Sequence, residues 1–306
     1  MDNRFLHMAL LLLAPPLFLG VVQRVKALAA GRTGPPLLQP YYDLARLLRK
    51  DAVYSPTTTW LFRAGPIVSL AATLCAGLLV PLQSGSAPLE FPGDIIAFAY
   101  LLALARFATL LAAWDTGSSF EEMGASREAS FAALAEPALF LGLAIVCIPA
   151  GKASFETAWA GLPWKTWGTA HPAMLAAVGA LFAYLIAENA RIPVDDPATH
   201  LELTMIHEVM VLDHSGPDLG FIFYGSAVKM FVVGAVLVHL ILPVPAAGGW
   251  VGIAILLGGQ LLLAISVGGI ESSMARLRLP RVPQFLIGAS VLAVMGLVAL
   301  FYRGKP

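Results

Sequence analysis

The sequence predicts an all-α, polytopic membrane protein with about eight transmembrane helices and an amphipathic helix at the membrane interface. Hydrophobic residues make up 58% of the 306 residues, whereas charged residues make up only 12%. Several apolar runs reach the roughly 20 residues that a helix needs to cross about 30 Å of hydrocarbon. We therefore expect a single integral membrane domain over residues 1–306, in contact with membrane lipid.

Eight apolar segments are predicted to cross the membrane, and the fifth is the shortest. They cover about residues 5–25, 62–82, 94–114, 130–149, 171–187, 219–242, 250–270 and 284–302. Pro15 and Pro16 should kink the first span, because a proline ring clashes with the preceding helical turn. The first span has no small-residue cleavage site followed by a polar domain, so we interpret it as a retained helix rather than a signal peptide.

Lysine and arginine residues are concentrated on alternate loops, which predicts the orientation of the chain. The loops after spans one, three, five and seven, with their flanks, contain Arg24, Lys26, Arg32, Arg46, Arg49, Lys50, Arg63, Arg127, Arg191, Arg276, Arg278 and Arg281. The opposite side contains only Arg4, Lys152, Lys165, Arg303 and Lys305. Because cytoplasmic loops carry the excess of cations, both termini should lie outside. Arg106 and Lys229 fall within spans three and six.

The first inside loop contains an apolar stripe at helical spacing. Its members are Leu37, Tyr41, Leu44, Ala45 and Leu48. Asp43 and Arg46 lie on other faces, which is typical of a helix that lies in the interface plane. Two functions fit this helix equally, surface anchoring and the lining of a cavity.

The segment between spans five and six is the most unusual part of the chain. Residues 188–218 hold seven carboxylates and one cation, Arg191. Charges at or within the membrane are costly and mark functional sites by default. We interpret the segment as part of a proton path and a docking surface; a solvated acidic loop is the alternative.

Asp196-Pro197 is typical of a helix start, with an acidic N-cap followed by proline at the first position. If that helix extends to Asp213, Glu202 and Asp213 share a face, and His207 lies on the opposite side. His200, His207 and His214 are spaced seven apart. Metal ligands on one helix usually lie one turn apart, so we do not expect a metal site here.

Residues 115–128 contain glycines and small polar residues, which predicts a turn-rich loop between spans three and four. Glu136 then follows about two turns into span four, just before Pro137. A carboxylate there is costly to desolvate, so proton handling is the preferred role. A structural partnership with Arg106 or Arg127 is the alternative.

Several chemistries find no support in the sequence. The two cysteines, Cys75 and Cys147, lie in apolar runs and cannot provide four thiolates for an iron–sulfur cluster. We find no phosphate loop, dinucleotide fingerprint or nucleophile triad. The net charge of zero makes nucleic acid an unsuitable partner. The arginines after Glu271 fit either anchoring at the inner face or a docking role.

Several segments together resemble the complex I subunit-1 family. They are Gly34-Pro35-Pro36-Leu37-Leu38-Gln39-Pro40 with Asp43 and Lys50-Asp51, Gly124-Ala125-Ser126-Arg127 with Glu136, Glu188-Asn189-Ala190-Arg191-Ile192-Pro193 with Asp195 and Glu202-Leu203, and Arg276 with Pro280-Arg281. In their exact residues, the motifs are more similar to those of a sister branch, the membrane anchor subunits of energy-converting nickel–iron hydrogenases. Its motifs are Gln39-Pro40-Tyr41, Asp115-Thr116-Gly117-Ser118, Met123-Gly124-Ala125-Ser126-Arg127-Glu128 and Asp196-Pro197-Ala198-Thr199-His200-Leu201-Glu202-Leu203-Thr204.

The resemblance implies a membrane subunit beneath a peripheral redox arm. Its partners would be hydrogenase-like large and small subunits, an iron–sulfur subunit and antiporter-like membrane subunits, in a bacterial or archaeal cytoplasmic membrane. The nickel–iron centre and the iron–sulfur clusters would lie in those partners, with no cofactor or metal in this chain. One motif differs, because the branch commonly has Glu-Tyr-Ser-Gly where this chain has Asp213-His214-Ser215-Gly216.

The resemblance and the charge pattern together define two sets of candidate residues, neither of them catalytic. The proton-path set is Glu136, Glu188, Glu202, Glu208, Asp213, Arg106 and Lys229. The peripheral-arm set is Asp43, Arg46, Asp115, Glu121, Arg127, Arg191, Asp195, Arg276 and Arg281.

The preferred function is therefore that of an anchor and ion-path subunit, for protons or sodium ions. A quinone-site subunit of an NADH:quinone oxidoreductase-type complex is the first alternative, with the headgroup between the interfacial helix and the inside loops. A stand-alone secondary transporter is the second; the absence of a visible inverted repeat in the sequence speaks against it.

Overall fold

The computed structural model describes residues 3–83, 87–160, 164–195, 205–242 and 250–303. Within these ranges all regular secondary structure is helical. The α-helices are α1 Asn3–Leu13, α2 Pro15–Ala29, α3 Gln39–Leu48, α4 Trp60–Leu79, α5 Asp94–Asp115, α6 Ser119–Ala150, α7 Phe155–Ala160, α8 Trp164–Glu188, α9 Gly216–Ile241, α10 Trp250–Ser273 and α11 Val282–Arg303. Short 3-10 turns occupy Glu208–Val211 and Leu279–Arg281. The predicted fold class is confirmed.

Seven helical stretches among the described residues are long and apolar enough to cross a membrane, with α1 and α2 counted as one stretch. The fifth predicted span is an eighth, shorter apolar stretch, Pro172–Glu188 within α8. The first span is interrupted at Ala14, directly before Pro15 and Pro16, as a proline-induced kink requires. The predicted interfacial helix is also present, as α3.

The prediction of a turn-rich loop over residues 115–128 holds only for residues 116–118, where Gly117 has a φ of 67°. It is wrong beyond them, because α6 begins at Ser119 and is continuous. Glu121 and Glu122 in its first turn favour a helix start through the helix dipole. Gly124 is not a turn residue but a packing residue, since a side chain there would collide with Val209. Glu136 therefore lies nearly five turns into its helix, rather than two.

The prediction of a helix from Asp196 to Asp213 is also wrong for the residues of that range that the structure describes. Residues 205–215 are irregular apart from the 3-10 turn Glu208–Val211. Asp195 explains why, because its side chain accepts hydrogen bonds from the backbone amides of Ile206 and His207 at 3.3 and 3.0 Å. These contacts favour a compact loop over a straight helix. Glu202 and His200 lie outside the described residues.

α9 is the central helix of the bundle and contacts α2, α3, α4, α8 and α10. Its second half is buried almost all round, which suits its nearly unbroken apolar sequence. A second layer forms where α6, α8 and α11 pack together, and α5 joins the layers by contacting both α4 and α6. Phe231 on α9 stacks on Phe18 of α2 with 5.5 Å between ring centroids.

The predicted inside segments meet at one end of the bundle. Asp115 accepts hydrogen bonds from the amide and hydroxyl of Thr59 at 2.6 and 2.7 Å. The amide of Leu277 donates to the Pro193 carbonyl at 2.9 Å. At the opposite end, the amide of Gly93 donates to the carbonyl of Ala153 at 3.0 Å. The bundle thus has two distinct ends; which one faces the cytoplasm stays a prediction.

Candidate functional site

Arg106, near the middle of α5, lies at the centre of a buried ionic cluster. Its guanidinium group contacts two carboxylates on α6 and one at the end of α8. Nη1 lies 2.7 Å from Oε1 of Glu136, Nε lies 3.4 Å from Oε1 of Glu128, and Nη2 binds Glu188. The arginine side chain is buried. Arginine suits this position, because its planar fork offers five donors and stays charged.

Glu188 extends the cluster to a fourth helix. Its Oε1 accepts a hydrogen bond from Nζ of Lys229 on α9 at 3.0 Å, while its other carboxylate oxygen binds Arg106. Glu136 differs from Glu188 in exposure, since 38% of its side chain is exposed compared with 2%. The cluster therefore ties α5, α6, α8 and α9 together and reaches the protein surface at Glu136.

His207 connects the cluster to the segment that follows α8. Its Nε2 lies 3.3 Å from Oε2 of Glu128, and its Nδ1 lies 3.6 Å from Oδ2 of Asp195. Asp195 in turn binds Nη2 of Arg276 at 2.9 Å through its other oxygen. The imidazole thus lies between two carboxylates, one from the loop and one from α6.

The electrostatics of this link follow from the opposed charges. Burial by itself would lower the pKa of His207, but the charge of Glu128, together with Asp195, outweighs burial and raises that pKa to about 10. Burial would likewise raise the pKa of Asp195, but its hydrogen bonds with His207 and the charges of His207 and Arg276 hold that pKa below its usual value. At neutral pH the loop link is therefore an ion pair between an imidazolium and carboxylates.

These contacts join carboxylates and cations into one network that branches at Arg106, which we term the charge network. Its members are Arg276, Asp195, His207, Glu128, Arg106, Glu136, Glu188 and Lys229. It runs from the loop before α11 through the segment after α8 to four membrane helices. Buried ion pairs are weak evidence for stability, because desolvation offsets much of their attraction. Stability alone is thus a weak reason for their presence, and a functional reason is preferred.

A second buried ion group lies near the network. Oε1 of Glu271 on α10 is 3.4 Å from Nη1 of Arg191, and Oε2 is 2.9 Å from Nζ of Lys26 on α2. The other terminal nitrogen of Arg191 contacts the Met230 sulfur, next to Lys229, at 3.8 Å. This group contains two cations and one carboxylate, and it joins the segment after α8 to α2 and α10.

The structure brings together four of the residues predicted for the proton path: Arg106, Glu136, Glu188 and Lys229. It does not add Asp213 to them. The Asp213 side chain is exposed, and its amide donates to Oε1 of Glu121 at 3.0 Å. Glu208 is half-buried beside His207, and Glu202 lies outside the described residues.

The residues predicted for the peripheral arm fall into two groups. The exposed group comprises Arg281 and the pair Asp43–Arg46, whose charged atoms lie 3.3 Å apart on α3. The other members bind within the chain. Arg191 and Asp195 are buried in the ion groups, Arg276 binds Asp195, Glu121 is fully buried, Asp115 holds the start of α4, and Arg127 donates to the Met205 carbonyl at 3.0 Å.

Sequence reasoning missed Glu128 and His207 as site residues. The predicted loop contained Glu128, and the histidine spacing suggested only a metal ligand and argued against one. A signal was available for Glu128: once α6 starts at Ser119, Glu128 and Glu136 are eight residues apart and lie within about a quarter turn of each other. No sequence signal places His207 between Glu128 and Asp195, because the fold of an irregular segment does so.

His214 occupies a different environment, although it belongs to the same segment between α8 and α9. Its ring stacks on Phe62 of α4 with 4.0 Å between centroids and 8° between planes. Neither ring nitrogen has a hydrogen-bond partner among the described residues. Burial lowers the pKa of His214 to about 4. The ring is therefore neutral at pH 7 and acts as an aromatic packing surface.

The part of the chain that the structure describes holds no group of three or more histidine, cysteine, aspartate or glutamate side chains that could bind a metal ion. Cys75 and Cys147 are free thiols. The carboxylates of the charge network and of the second ion group instead contact arginine, lysine and histidine side chains. That this chain carries no cofactor of its own stays a prediction.

A bundle of helices long and apolar enough to cross a membrane, with a buried charge network toward one end, defines the class: a multi-pass membrane protein. The chain belongs to the NADH dehydrogenase family, which matches residues 4–302. The resemblance inferred from the motifs is confirmed.

The chain is similar to several characterised subunits. Formate hydrogenlyase subunit 4 of Escherichia coli (strain K12) is 32% identical over 299 residues, which cover 93% of this chain and 94% of that protein. Hydrogenase-4 component C of the same organism is 33% identical over 234 residues, covering 76% of this chain and 73% of that protein. An NADH-quinone oxidoreductase subunit of Burkholderia vietnamiensis (strain G4 / LMG 22486) is 25% identical over 235 residues, covering 73% and 63%.

A solved structure shares the fold. It is a chain of the membrane-bound sulfane sulfur reductase (MBS), an archaeal respiratory membrane complex, with a TM-score of 0.84 and 22% sequence identity. The match covers 97% of this chain and 99% of that chain. The homologues are thus membrane subunits of hydrogenase-type and complex I-related assemblies.

Proposed function

We propose that this chain is the membrane anchor and ion-path subunit of a hydrogenase-type, complex I-related redox assembly. It docks a peripheral electron-transfer arm and couples that arm to the translocation of protons or sodium ions. The observation that carries the proposal is the charge network, which links the loop residue Arg276 to Glu188 and Lys229 through ion-pair contacts of at most 3.6 Å.

The composition of the network supports ion handling over a purely structural role. Carboxylates and cations alternate along it, so a proton added at one member changes the electrostatic balance of the next. A bundle that needed only stability could place apolar residues here at no disadvantage, since such replacements are often neutral or stabilising. Glu136, whose side chain is partly exposed in the middle of α6, offers an exit toward a neighbouring membrane subunit.

The exposed charges at the inner end support docking. Arg281, Arg278 and the pair Asp43–Arg46 lie on α3 and the loop before α11, which belong to the end where the predicted inside segments meet. The similarity to formate hydrogenlyase subunit 4 favours a hydrogenase-like partner. In this proposal, the nickel–iron centre and the iron–sulfur clusters belong to partner subunits. The chain forms one integral membrane domain in a bacterial or archaeal cytoplasmic membrane, with both termini outside.

Ion translocation by the assembled, reconstituted complex tests the path. Glu188→Gln and Glu136→Gln keep the size of each side chain but remove its charge and titration. We expect both variants to assemble and to lose translocation per redox turnover, down to the level of protein-free vesicles. Glu90→Gln is the matched control, because Glu90 is an exposed carboxylate at the opposite end of the bundle. Normal translocation by both Glu188→Gln and Glu136→Gln would show that the network has no part in the path.

Retention of the peripheral arm tests docking. Arg281→Glu reverses an exposed charge at the inner end and should release the arm from washed membranes at lower salt, because interface charges are screened by ions. Lys152→Glu makes the same reversal at the opposite end, where the side chain is also exposed, and should leave the arm attached. Equal salt sensitivity of the two variants would mean that Arg281 serves only as a topology signal.

A further inference from the structure

The described members of the charge network include more carboxylates than permanently charged cations. Among the described residues it contains four carboxylates, Glu128, Glu136, Glu188 and Asp195, but three fixed cations, Arg106, Lys229 and Arg276. In a low-dielectric interior an uncompensated carboxylate is costly. One additional proton, held by a titratable member, balances the charges of these described residues.

His207 is placed to hold that proton. It is the member of the described network whose unperturbed pKa lies nearest to neutral. Its two ring nitrogens face different carboxylates, Nδ1 toward Asp195 at 3.6 Å and Nε2 toward Glu128 at 3.3 Å. It lies in an irregular segment, next to the 3-10 turn Glu208–Val211, rather than in a membrane helix. A side chain in such a segment can shift by the few tenths of an ångström that proton transfer at these distances requires.

We propose that His207 and Glu128 together form the loading site for the one mobile proton of the network, with Asp195 as the residue that positions the ring. This inference rests on the proposed function. In the resting state the proton lies on Nε2 of the imidazolium. Loading breaks this N–H bond and forms an O–H bond on Oε2 of Glu128, which leaves a neutral imidazole with its Nδ1 proton and a neutral carboxylic acid. No charge is created in the interior, since an ion pair becomes a neutral pair.

The position of Glu128 connects the proton-loading step to the membrane helices. Its other oxygen, Oε1, lies 3.4 Å from Nε of Arg106, whose remaining nitrogens hold Glu136 and Glu188. When Glu128 is protonated, Arg106 loses one of three counterions and binds the remaining two more strongly. The loading step is thereby transmitted to the carboxylates of the path.

The proposed role of Asp195 is that of the aspartate in a catalytic triad, which orients the imidazole and stabilises its charged form. It accepts two backbone amides from the His207 segment and is held by Arg276. These bonds keep it ionised, so it directs the Nδ1–H of the ring and leaves Nε2 facing Glu128. The surroundings of His207 also include Arg127 of α6, which donates to the carbonyl of Met205, two residues earlier. Arg276 lies on the side of the ring away from Glu128, where it is paired with Asp195.

Substitutions of His207 and Glu128 distinguish a proton-carrying role of this pair from that of a fixed charge. His207→Arg keeps a cation between the two carboxylates but cannot give up a proton. The assembled, reconstituted complex with His207→Arg should retain redox turnover and lose ion translocation to the background of protein-free vesicles. His214→Gln is the control, since it alters the other buried histidine of the same segment and should translocate like the parent. A parent ratio of ions to turnovers in His207→Arg would overturn the inference, because a fixed cation would then suffice.

Glu128→Gln provides a second test in case the larger side chain of His207→Arg cannot be accommodated between the two carboxylates. It preserves the shape of the acceptor but cannot take the proton, so we expect the same loss of translocation. Parent translocation by Glu128→Gln would also overturn the inference. Glu188→Gln and Glu136→Gln distinguish the loading site from the path. If both lose translocation while His207→Arg and Glu128→Gln translocate fully, only the loading site is refuted. Full translocation in both Glu188→Gln and Glu136→Gln refutes the proposed path itself.

The positioning role of Asp195 has its own readout. Asp195→Asn keeps the hydrogen-bonding shape but removes a charge that holds the proton on His207. The alkaline limb of the pH profile for translocation should therefore move to lower pH, and Asp195→Glu should restore it. An unmoved pH profile in Asp195→Asn would overturn this role.

Discussion

His207 and His214 are seven residues apart in one irregular segment, yet their surroundings give them different charges. His207 lies between Glu128 and Asp195, and its pKa is raised to about 10. His214 lies flat on the ring of Phe62, and burial lowers its pKa to about 4. Both rings are largely enclosed by protein, so burial alone does not explain the difference. The presence of carboxylates within ion-pair distance decides which histidine is a cation.

The comparison separates the segment into an electrostatic part and a packing part. Near His207 the contacts are ionic and lead to membrane helices. Near His214 the contacts are aromatic packing and uncharged hydrogen bonds. Tyr54 packs edge-on against Phe62 with 6.3 Å between ring centroids, and the Ser215 hydroxyl accepts a hydrogen bond from the Val53 amide at 2.9 Å. The second part holds the linker between α3 and α4 against the start of α9. The loop thus packs against α4 at one point and forms ion pairs at another.

The largest expected effect comes from replacing each histidine by phenylalanine. His207→Phe leaves two buried carboxylates without their shared cation, which should destabilise the protein by about 3–5 kcal/mol. His214→Phe retains the stack on Phe62 and removes polar atoms that have no described partner, so stability should change by less than about 1 kcal/mol. Thermal unfolding of the purified protein in detergent measures both. Similar losses in the two variants would contradict the division of the segment.

The second effect is a dependence of stability on alkaline pH. Because the folded-state pKa of His207 is raised to about 10 from 6.5, the folded protein binds more protons than the unfolded chain between these values. Its contribution to stability is complete below pH 6.5 and is lost as the pH rises toward 10. The difference in unfolding midpoint between the parent and His207→Gln should therefore shrink across this window. A constant difference would mean that His207 is not charged in the folded protein.

The smallest effect is the opposite dependence for His214. Its folded-state pKa is lowered to about 4 from 6.5, so the unfolded chain binds more protons between these two values. The parent should lose stability as the pH falls through this window, and His214→Phe should lose less. The comparison of the two midpoints across this range checks the sign, with the carboxylates common to both proteins cancelling. A steeper loss in His214→Phe than in the parent would contradict a neutral His214.

Much of the candidate site can be predicted from the sequence, but not its connections. Arg106, Glu136, Glu188 and Lys229 stand out because a charge in an apolar span is rare and expensive. Glu128 and His207 do not, because they lie in segments whose polarity is ordinary for a loop. Arg191 and Asp195 were predicted to face a partner, and the structure shows them buried in ion groups. The charge of a residue does not by itself indicate whether its side chain faces a partner or is buried within the chain.

The sequence by itself determined the membrane class, the approximate spans, the kink before Pro15 and the amphipathic helix α3. It did so because hydrophobic length, proline geometry and helical periodicity are local properties. Only the tertiary structure decided which charges meet. Asp195 binds His207 and Arg276 because a folded loop and a distant helix end converge there, and Arg106 meets Glu188 across 82 positions of the chain. Ion pairing depends on a few ångströms between side chains, and such distances are set by how the helices pack.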